Sequence, residues 1–200
     1  MSDNEIFDNG NFGAGKKCWS HFRKRIGEPT TTFTGLQFYA LDPRPEEINI
    51  LDIAHSLSLS CRFGGMCNDF YSVAEHCVIL CDYFLKQGKP WLAYQALMHD
   101  AAEAYFFGDV RKPLKSSLGK RYSVQEEFLE RMICKKYGVS FPFSKEVKDA
   151  DFGIFITERT ALFHSGTKWA ETGKPLDVKL HMWPPKRAEQ EFLKRFGELS

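Results

Sequence analysis

The fold of this chain is decided by the stretch SVAEHCVILCDYFLKQG, residues 72–88, which carries helix signals at both ends. Ser72 and Glu75 form a capping-box pattern, in which a serine begins a helix and a glutamate stands three positions later. Gly88 is typical of the residue that follows a helix. The stretch therefore predicts a helix that begins after Ser72 and ends near Gln87.

The sequence on both sides of this helix has the same helical character. Apolar residues at three- and four-residue spacing predict a helix from Glu46 to about Ser60. Other helices are predicted over residues 91–107, 123–137 and 144–164, and a last one follows Pro184-Pro185 and ends near Gly197. Loops are predicted over 62–70 and 109–119, where glycines, lysines and a proline interrupt the pattern.

Strand signals are confined to Thr30–Leu41, where β-branched and aromatic residues around Gly35 predict a short hairpin. The expected fold class is therefore all-α: a helical bundle of five or six main helices with a short N-terminal β-hairpin. Residues 1–28 lack periodicity and predict a loosely ordered N-terminal arm. Residues 29–200 are then one domain, as a chain of 200 residues suggests.

Charge and hydropathy argue against several functional classes. The 27 Lys and Arg residues against 26 Asp and Glu residues leave a net charge of +1, unlike the basic excess of a sequence-independent nucleic-acid binder. No apolar run approaches the roughly 18–20 residues that cross a bilayer. The segment Met1–Glu5 lacks the features of a signal peptide. We expect a cytoplasmic protein without a membrane partner or a stable nucleic-acid partner.

Six cysteines occur in the chain, and in a cytoplasmic protein we expect them to be reduced. One alternative is a structural zinc site made by Cys61, Cys67, Cys77 and Cys81, although their spacing is looser than that of usual zinc knuckles. Another is a hydrolase with Cys77 as nucleophile beside His76. That pair is poorly arranged, because adjacent residues of a helix point in different directions.

Four side chains from three predicted helices stand out as a candidate metal site: His76, His99, Asp100 and Asp151. We expect His99 and Asp100 near the middle of their helix, where adjacent side chains point about 100° apart. Both can reach one ion only if that helix passes close beside it. Imidazole and carboxylate together suit Mn, Fe, Co, Zn or Mg. The sequence thus predicts one divalent metal ion as cofactor.

These residues stand in the order His…His-Asp…Asp, and over about residues 42–165 the chain resembles the HD-domain phosphohydrolases, whose signature this is. The matching segments are Cys61-Arg62-Phe63, Phe70–His76, Leu97–Glu103, Gly108-Asp109 and Lys148–Asp151. The resemblance is closest to bacterial 5′-deoxynucleotidases and to phage dATP triphosphohydrolases, and it implies the HD-domain bundle. It favours Asp151 over Asp149 as the last ligand, because Asp151 occupies the family's Ala-Asp position.

The resemblance also implies catalytic roles for two acidic residues. The four residues of the signature match the family's metal ligands. Glu103, one turn beyond His99 in the predicted helix, matches the glutamate that handles the proton of the attacking water or of the leaving group. Asp109 matches an aspartate that orients water or substrate near the metal. Its alternative is a plain turn residue after Gly108.

Substrate-binding residues are implied in the same way. Arg62 matches an arginine that contacts phosphate, for which a guanidinium is well suited. Phe63 follows it where some relatives carry tryptophan, and its ring is a candidate surface for deoxyribose. Lys112 and Lys115, in the loop predicted after Asp109, are candidates to bind further phosphates, although a solvated surface is the commoner fate of such lysines.

The expected function is that of a metal-dependent phosphohydrolase for deoxynucleotides, in which metal-bound water attacks phosphorus. The basic loop favours a dNTP substrate, dATP first, with deoxynucleoside and triphosphate as products. One alternative is a 5′-deoxynucleotidase that acts on dNMP, and another, from a different class, is a non-catalytic HD scaffold that binds nucleotide. By analogy with similar enzymes we expect a homo-oligomer, either a dimer or a larger ring, in the host cytoplasm if the protein is phage-encoded.

Overall fold

The structure, a computed structural model, describes residues 25–106, 108–110 and 112–200, without the side chains of residues 112, 113, 116 and 121. Its helices are α1 (Ile50–Leu59), α2 (Val73–Lys86), α3 (Pro90–Met98), α4 (Lys112–Leu118), α5 (Lys120–Tyr137), α6 (Lys145–Leu162) and α7 (Pro185–Leu199). Short 3-10 segments cover Pro45–Glu47, Arg62–Gly65 and Ala101–Ala104. The all-α bundle predicted from the sequence is confirmed.

The predicted N-terminal hairpin is also confirmed. Its strands β1 (Thr30–Thr31) and β2 (Gln37–Phe38) pair antiparallel, with Thr30 opposite Phe38. The backbone N–H and the hydroxyl of Thr34 in the turn donate to the buried Asp52 carboxylate at 2.7 and 2.9 Å. Since Asp52 lies on α1, these two bonds attach the hairpin to the bundle.

Residues 1–24 of the predicted N-terminal arm lie outside the described residues, so the arm stays a prediction. At the border of the described part, Arg25 pairs with Asp42 and Glu47, and its guanidinium lies 3.8 Å above the ring centroid of Tyr39. These contacts hold residue 25 against the short 3-10 segment that precedes α1.

Helix α2 lies at the centre of the bundle, and every residue from Val73 to Cys81 is buried. A helix that is buried on all sides needs partners all round, and α2 packs against α1, α3, α6 and α7. The predicted N-cap is confirmed, because the Ser72 hydroxyl accepts from the backbone N–H of Glu75 at 3.1 Å. The first turn of α2, which contains His76, is therefore firmly placed.

The helix predicted over residues 91–107 is wrong in its second half. Helix α3 ends at Met98, and a 3-10 segment, Ala101–Ala104, follows. Asp100 leaves the helical region, with φ −99° and ψ 11°. His99 and Asp100 therefore lie at the end of a helix, and not near its middle as expected. The break explains how two consecutive side chains can face the same point, which an unbroken helix makes difficult.

The loop predicted over residues 109–119 is wrong as well, because it contains α4, and α5 begins at Lys120 before the predicted start at Ser123. Pro113 falls in the first turn of α4, where proline is tolerated since its missing N–H has no partner in a helix anyway. Gly119, with φ +80°, separates the two helices. Ser123 is an interior residue whose hydroxyl donates to the carbonyl of Lys120.

Helix α6 begins as predicted, with the Ser144 hydroxyl accepting from the Val147 N–H at 3.3 Å. From its end to α7, residues 163–184 run across the surface of α6 with hardly any regular structure. Leu176 fixes this C-terminal strap to α6, since its N–H donates to the Gly153 carbonyl and its carbonyl accepts from the Thr157 hydroxyl. Within the described residues, no helix combines the length and apolar character needed to cross a bilayer.

Candidate metal centre

His76 lies in the first turn of α2 and is fully buried. One nitrogen of its imidazole ring is hydrogen-bonded to a carboxylate, and the other faces His99 at the end of α3. Its Nδ1 lies 2.6 Å from Oε1 of the buried Glu158 on α6. A carboxylate at that distance accepts the Nδ1–H, which leaves the lone pair of the imidazole on Nε2. That Nε2 lies 3.3 Å from Nε2 of His99.

His99 has the same tautomer for a different reason. Its Nδ1 lies 2.7 Å from the carbonyl oxygen of Ala96, one turn back in α3, and donates to it. Both histidines thus turn an Nε2 lone pair toward the same point, 3.3 Å apart. Two facing lone pairs repel each other unless a proton or a cation lies between them. This is the arrangement in which paired imidazoles bind a metal ion.

Two carboxylates complete the group. Oδ2 of Asp100 lies 3.4 Å from His99 Nε2 and 3.8 Å from His76 Nε2, and it is buried without a hydrogen-bond partner. Oδ1 of Asp151, on α6, lies 3.2 and 3.7 Å from the same two nitrogens. His76, His99 and Asp100 form a group that can hold a metal ion, with their ligand atoms within 4.8 Å of one another. The orphaned oxygen of Asp100 fits a cation at this point.

The electrostatics of the group favour a positive charge at its centre. Burial alone lowers the pKa of His99, but Asp100 and the other neighbours outweigh it and raise that pKa well above its ordinary value. Partial burial raises the pKa of Asp151, but its hydrogen bonds to His76 and His99 outweigh this effect and hold the pKa well below its usual range. A divalent cation held by these residues would replace the proton that the carboxylates otherwise attract.

Arg62 lies beside this group, and its predicted contact with phosphate stays a prediction. Its Nη2 donates to Glu158 Oε2 at 3.0 Å, and its Nη1 lies 3.7 Å from Asp100 Oδ2 and 3.9 Å from Asp109 Oδ1. Asp109 also accepts the Phe63 N–H at 2.7 Å, which fixes the backbone next to Arg62. The structure therefore brings Arg62 and Asp109 to the metal group.

Glu103 is buried near the group, but the backbone that carries it differs from the predicted helix. Because α3 ends at Met98, Glu103 lies in the following 3-10 segment and not one helical turn beyond His99. Its Oε2 has no hydrogen-bond partner. Burial, and then the charges of Asp100 and Asp109, raise the pKa of Glu103 well above its ordinary value. This environment favours the protonated carboxyl of a general acid.

Of the two lysines predicted to bind phosphate, the structure describes the side chain of Lys115 but not that of Lys112. Nζ of Lys115 lies 3.3 Å from Glu103 Oε1 and 2.8 Å from Glu126 Oε1, so two carboxylates already hold it. It links the 3-10 segment to α5. Lys112 begins α4, and its side chain lies outside the described part of the structure. Phosphate binding by either lysine stays a prediction.

Phe63 packs into an aromatic cluster beside α6. Its side chain is 8% exposed, and its ring centroid lies 5.1 Å from that of Phe163, 6.0 Å from that of Phe155 and 6.5 Å from that of Trp169. Contact of its ring with a sugar stays a prediction. The positive φ of Phe63, 58°, is rarely adopted by residues with side chains, and the cluster helps to hold it.

The sequence interpretation missed Glu158 and misjudged the role of Glu75. Glu158 stands seven residues after Asp151 on the same helix, which places both on one face, and this spacing was the available signal. The carboxylate of Glu75 accepts the N–H groups of His181, Met182 and Trp183 in the C-terminal strap. That contact is long-range, and no local pattern indicates it.

The cysteines form no four-cysteine site in the described part of the chain. Cys77 and Cys81 are buried in α2, whereas Cys61 and Cys67 form a separate pair with Sγ atoms 3.7 Å apart. Cys77 Sγ lies 4.0 Å from Nδ1 of His99, the nitrogen that donates to the backbone. Burial raises the pKa of Cys77 to about 11, which opposes a nucleophilic role.

No family model matches the sequence. Over 173 residues, 84% of this chain and 94% of the relative, the sequence is 40% identical to the uncharacterized protein YfdR of Escherichia coli K12. The chain belongs to the YfdR family. A second relative of this YfdR-family chain is the uncharacterized protein RCAP_rcc00048 of Rhodobacter capsulatus, 34% identical over 128 residues, 59% of this chain and 64% of the relative.

Proposed function

We propose that this chain is a metal-dependent phosphohydrolase of the HD-domain kind that acts on deoxynucleotides. The observation that carries the proposal is the pair of Nε2 atoms of His76 and His99, 3.3 Å apart, each turned inward by a partner on Nδ1. The orphaned Asp100 oxygen beside them supports it. Metal-binding residues next to a buried arginine are suited to an anionic substrate.

His76, His99, Asp100 and Asp151 are the proposed ligands of one divalent ion, for which Mn, Co, Zn, Fe and Mg are the candidates. When bound, such an ion acts as a Lewis acid and lowers the pKa of water, so that hydrolysis proceeds near neutral pH. Asp151 has a side chain that is 42% exposed, which leaves the site open to solvent and substrate on the α6 side.

The residues of the chain itself have three tasks. Arg62 binds a phosphate oxygen and offsets the charge that develops at phosphorus, while Glu158 and Asp109 orient its guanidinium. Glu103, whose environment favours the protonated carboxyl, donates a proton to the leaving oxygen. Asp109 additionally holds the backbone that carries Arg62, through the N–H of Phe63.

We propose a dNTP substrate, dATP first, with deoxynucleoside and inorganic triphosphate as products. A dNMP substrate is the second candidate, because Lys115 is engaged with Glu103 and Glu126 and must leave them to reach a distal phosphate. Incubation with dATP or dAMP in the presence of Mn²⁺ or Co²⁺, with ion chromatography of the products, separates the two. Triphosphate from dATP supports the first candidate, and phosphate from dAMP alone supports the second.

The phosphohydrolase proposal itself is tested with His99→Ala. This substitution removes one of the two facing nitrogens, and we expect loss of nearly all turnover with the fold retained. His164→Ala is the matched control, because His164 is exposed in the segment after α6. Full turnover in His99→Ala contradicts the proposal. Nucleotide binding without turnover in the unaltered chain, with metal present, favours a non-catalytic scaffold instead.

A further inference from the structure

Two cysteine thiols lie almost in contact at the ends of the loop that carries Arg62. Cys61 and Cys67 enclose the 3-10 segment Arg62–Gly65, and their Sγ atoms are 3.7 Å apart. Both side chains are partly exposed, and both cysteines are free thiols. A disulfide bond needs an S–S distance of about 2.05 Å, so the two sulfur atoms have to approach by less than about 2 Å.

The backbone of the loop keeps the two thiols together. Phe63, Gly64 and Gly65 have φ values of 58°, 61° and 74°, and this run of left-handed residues folds the chain back on itself. On one side, the Arg62 N–H donates to the Tyr71 carbonyl at 2.8 Å. On the other, the Asn68 N–H donates to the carbonyl of the last residue of α6 at 2.8 Å. Neighbouring structure thus fixes both ends of the loop.

We propose that Cys61 and Cys67 are a modification site: peroxide-class oxidants join them in an intramolecular disulfide, and small thiols such as glutathione reduce it. Cys61 sulfur attacks one peroxide oxygen, becomes a sulfenic acid and releases the other oxygen as water. Cys67 sulfur then attacks the Cys61 sulfur and expels the second water. The two thiols lose two electrons and two protons, and one hydrogen peroxide becomes two water molecules.

The surroundings of Cys67 support this order of events. Burial, and then the neighbouring Cys61 thiol, raise the pKa of Cys67 to about 11, so Cys67 holds its proton at neutral pH. Its Sγ lies 3.1 Å from the carbonyl oxygen of Asp69, which accepts that proton as a hydrogen bond. That proton makes Cys67 the slower of the two thiols toward the oxidant, so Cys61 reacts first. Cys67 then acts as the resolving thiol because its sulfur is held 3.7 Å from that of Cys61, and this proximity offsets its small thiolate fraction.

The other cysteines of the described residues do not compete with Cys61 and Cys67 for the oxidant. Cys77, Cys81 and Cys134 are each at most 1% exposed, and burial raises the pKa of each thiol. Cys18 lies outside the described residues, so the experiment includes a Cys18→Ser variant. The disulfide does not depend on the proposed function, but it links the redox state of the loop to Arg62, which pairs with Glu158 at the metal centre.

The test uses the full-length chain, reduced, desalted and treated with hydrogen peroxide at a small molar excess. Before blocking, we expect the oxidised chain to be about 2 Da lighter than the reduced chain. After denaturation and blocking with N-ethylmaleimide, it should carry two fewer adducts than the reduced chain. Trypsin cleaves after Arg62, between the two cysteines, so the disulfide joins two peptides that separate on reduction. A further chymotryptic cut after Tyr71 distinguishes Cys67 from Cys77.

Cys61→Ser and Cys67→Ser should each abolish the joined peptides, while Cys18→Ser and Cys134→Ser should keep them. Because the unaltered chain is mapped directly, the test remains decisive even where one variant fails to fold. A joined peptide of residues 61 and 67 that dithiothreitol releases supports the proposal. A disulfide to Cys18, a covalent dimer, a sulfinic acid at either position, or no reaction at all overturns it.

Discussion

The carboxylate of Glu158 binds His76 with one oxygen and Arg62 with the other, at 2.6 Å from Nδ1 and 3.0 Å from Nη2. All three side chains are buried. A single acidic residue on α6 thus sets the tautomer of an imidazole on α2 and the direction of a guanidinium in the loop before it. In the proposed function, these are a metal ligand and the phosphate-binding residue.

We expect Glu158→Gln to weaken metal binding about 10–100-fold, because an amide cannot accept the Nδ1–H of His76 with the strength of a carboxylate. Isothermal titration with Mn²⁺ or Co²⁺ measures the affinity, and circular dichroism verifies the fold. Glu171→Gln is the matched control, since the Glu171 side chain is 41% exposed and lies 3.9 Å from Arg159. Equal affinities in the two variants would show that Glu158 does not tune the site.

Metal binding should stabilise the chain through Asp151 and not through Asp149, two residues earlier. A cation present at about 100 times its dissociation constant adds about 2.7 kcal/mol to the free energy of unfolding. We expect Asp151→Ala to lose most of this gain. Asp149→Ala should keep it, because Asp149 is exposed and its carboxylate pairs with Lys145. Thermal unfolding with Mn²⁺ and with EDTA measures the difference, and the reverse ranking of the variants contradicts the assignment.

The three backbone N–H groups bound by Glu75 should make this residue important for stability. Glu75→Ala leaves three donors of the C-terminal strap without their carboxylate, and we expect a loss of about 3–5 kcal/mol in urea unfolding. Limited proteolysis should cut the strap faster. Glu46→Ala, at an exposed position before α1, is the control and should stay within about 0.5 kcal/mol of the unaltered chain.

Glu130 gives the chain a pH-dependent stability. Burial, and then Glu126 and Asp100, raise the pKa of Glu130 to about 7 from its ordinary 4.5. The folded chain therefore binds a proton that the unfolded chain has released, so the free energy of unfolding falls as pH rises from about 4.5 to about 7, and then levels off. In EDTA, Glu130→Gln should remove this decline, which is at most about 3.4 kcal/mol.

Glu127→Gln is the control for that measurement, because Glu127 is exposed on the same helix and pairs with Arg131. The control should show the same pH dependence of stability as the unaltered chain. An unchanged slope in Glu130→Gln, measured by urea unfolding at several pH values, would mean that another group titrates there.

Much of the fold could be predicted, because local signals place most of its helices. The caps Ser72 and Ser144 act through their own backbone neighbours, and both helix starts were predicted correctly. The end of α3 at Met98 was not predictable, since the apolar pattern continues past it and no glycine or proline marks the break. Pro113 was misread, because a proline marks a break or a first helical turn equally well.

In the candidate site, too, residues with a sequence signature were predicted, and a residue placed only by helix packing was missed. The convergence of His76, His99, Asp100 and Asp151 was predicted from their order and residue types, and the structure brings their ligand atoms together. Glu158 was missed because a glutamate in a helix is ordinarily solvated. Its role exists only when α6 packs against α2, which is a property of the tertiary structure.

The hydrogen bonds from residues 181–183 to Glu75 make the tail of the chain part of the candidate metal centre's support. Glu75 is the immediate neighbour of His76, so the turn of α2 that carries this proposed ligand is bonded directly to the strap. A chain cut short between residues 152 and 180 would therefore keep all four signature residues but leave the Glu75 carboxylate without its three N–H donors. The tail and the histidine-bearing turn therefore depend on each other structurally, although they lie more than a hundred positions apart in the chain.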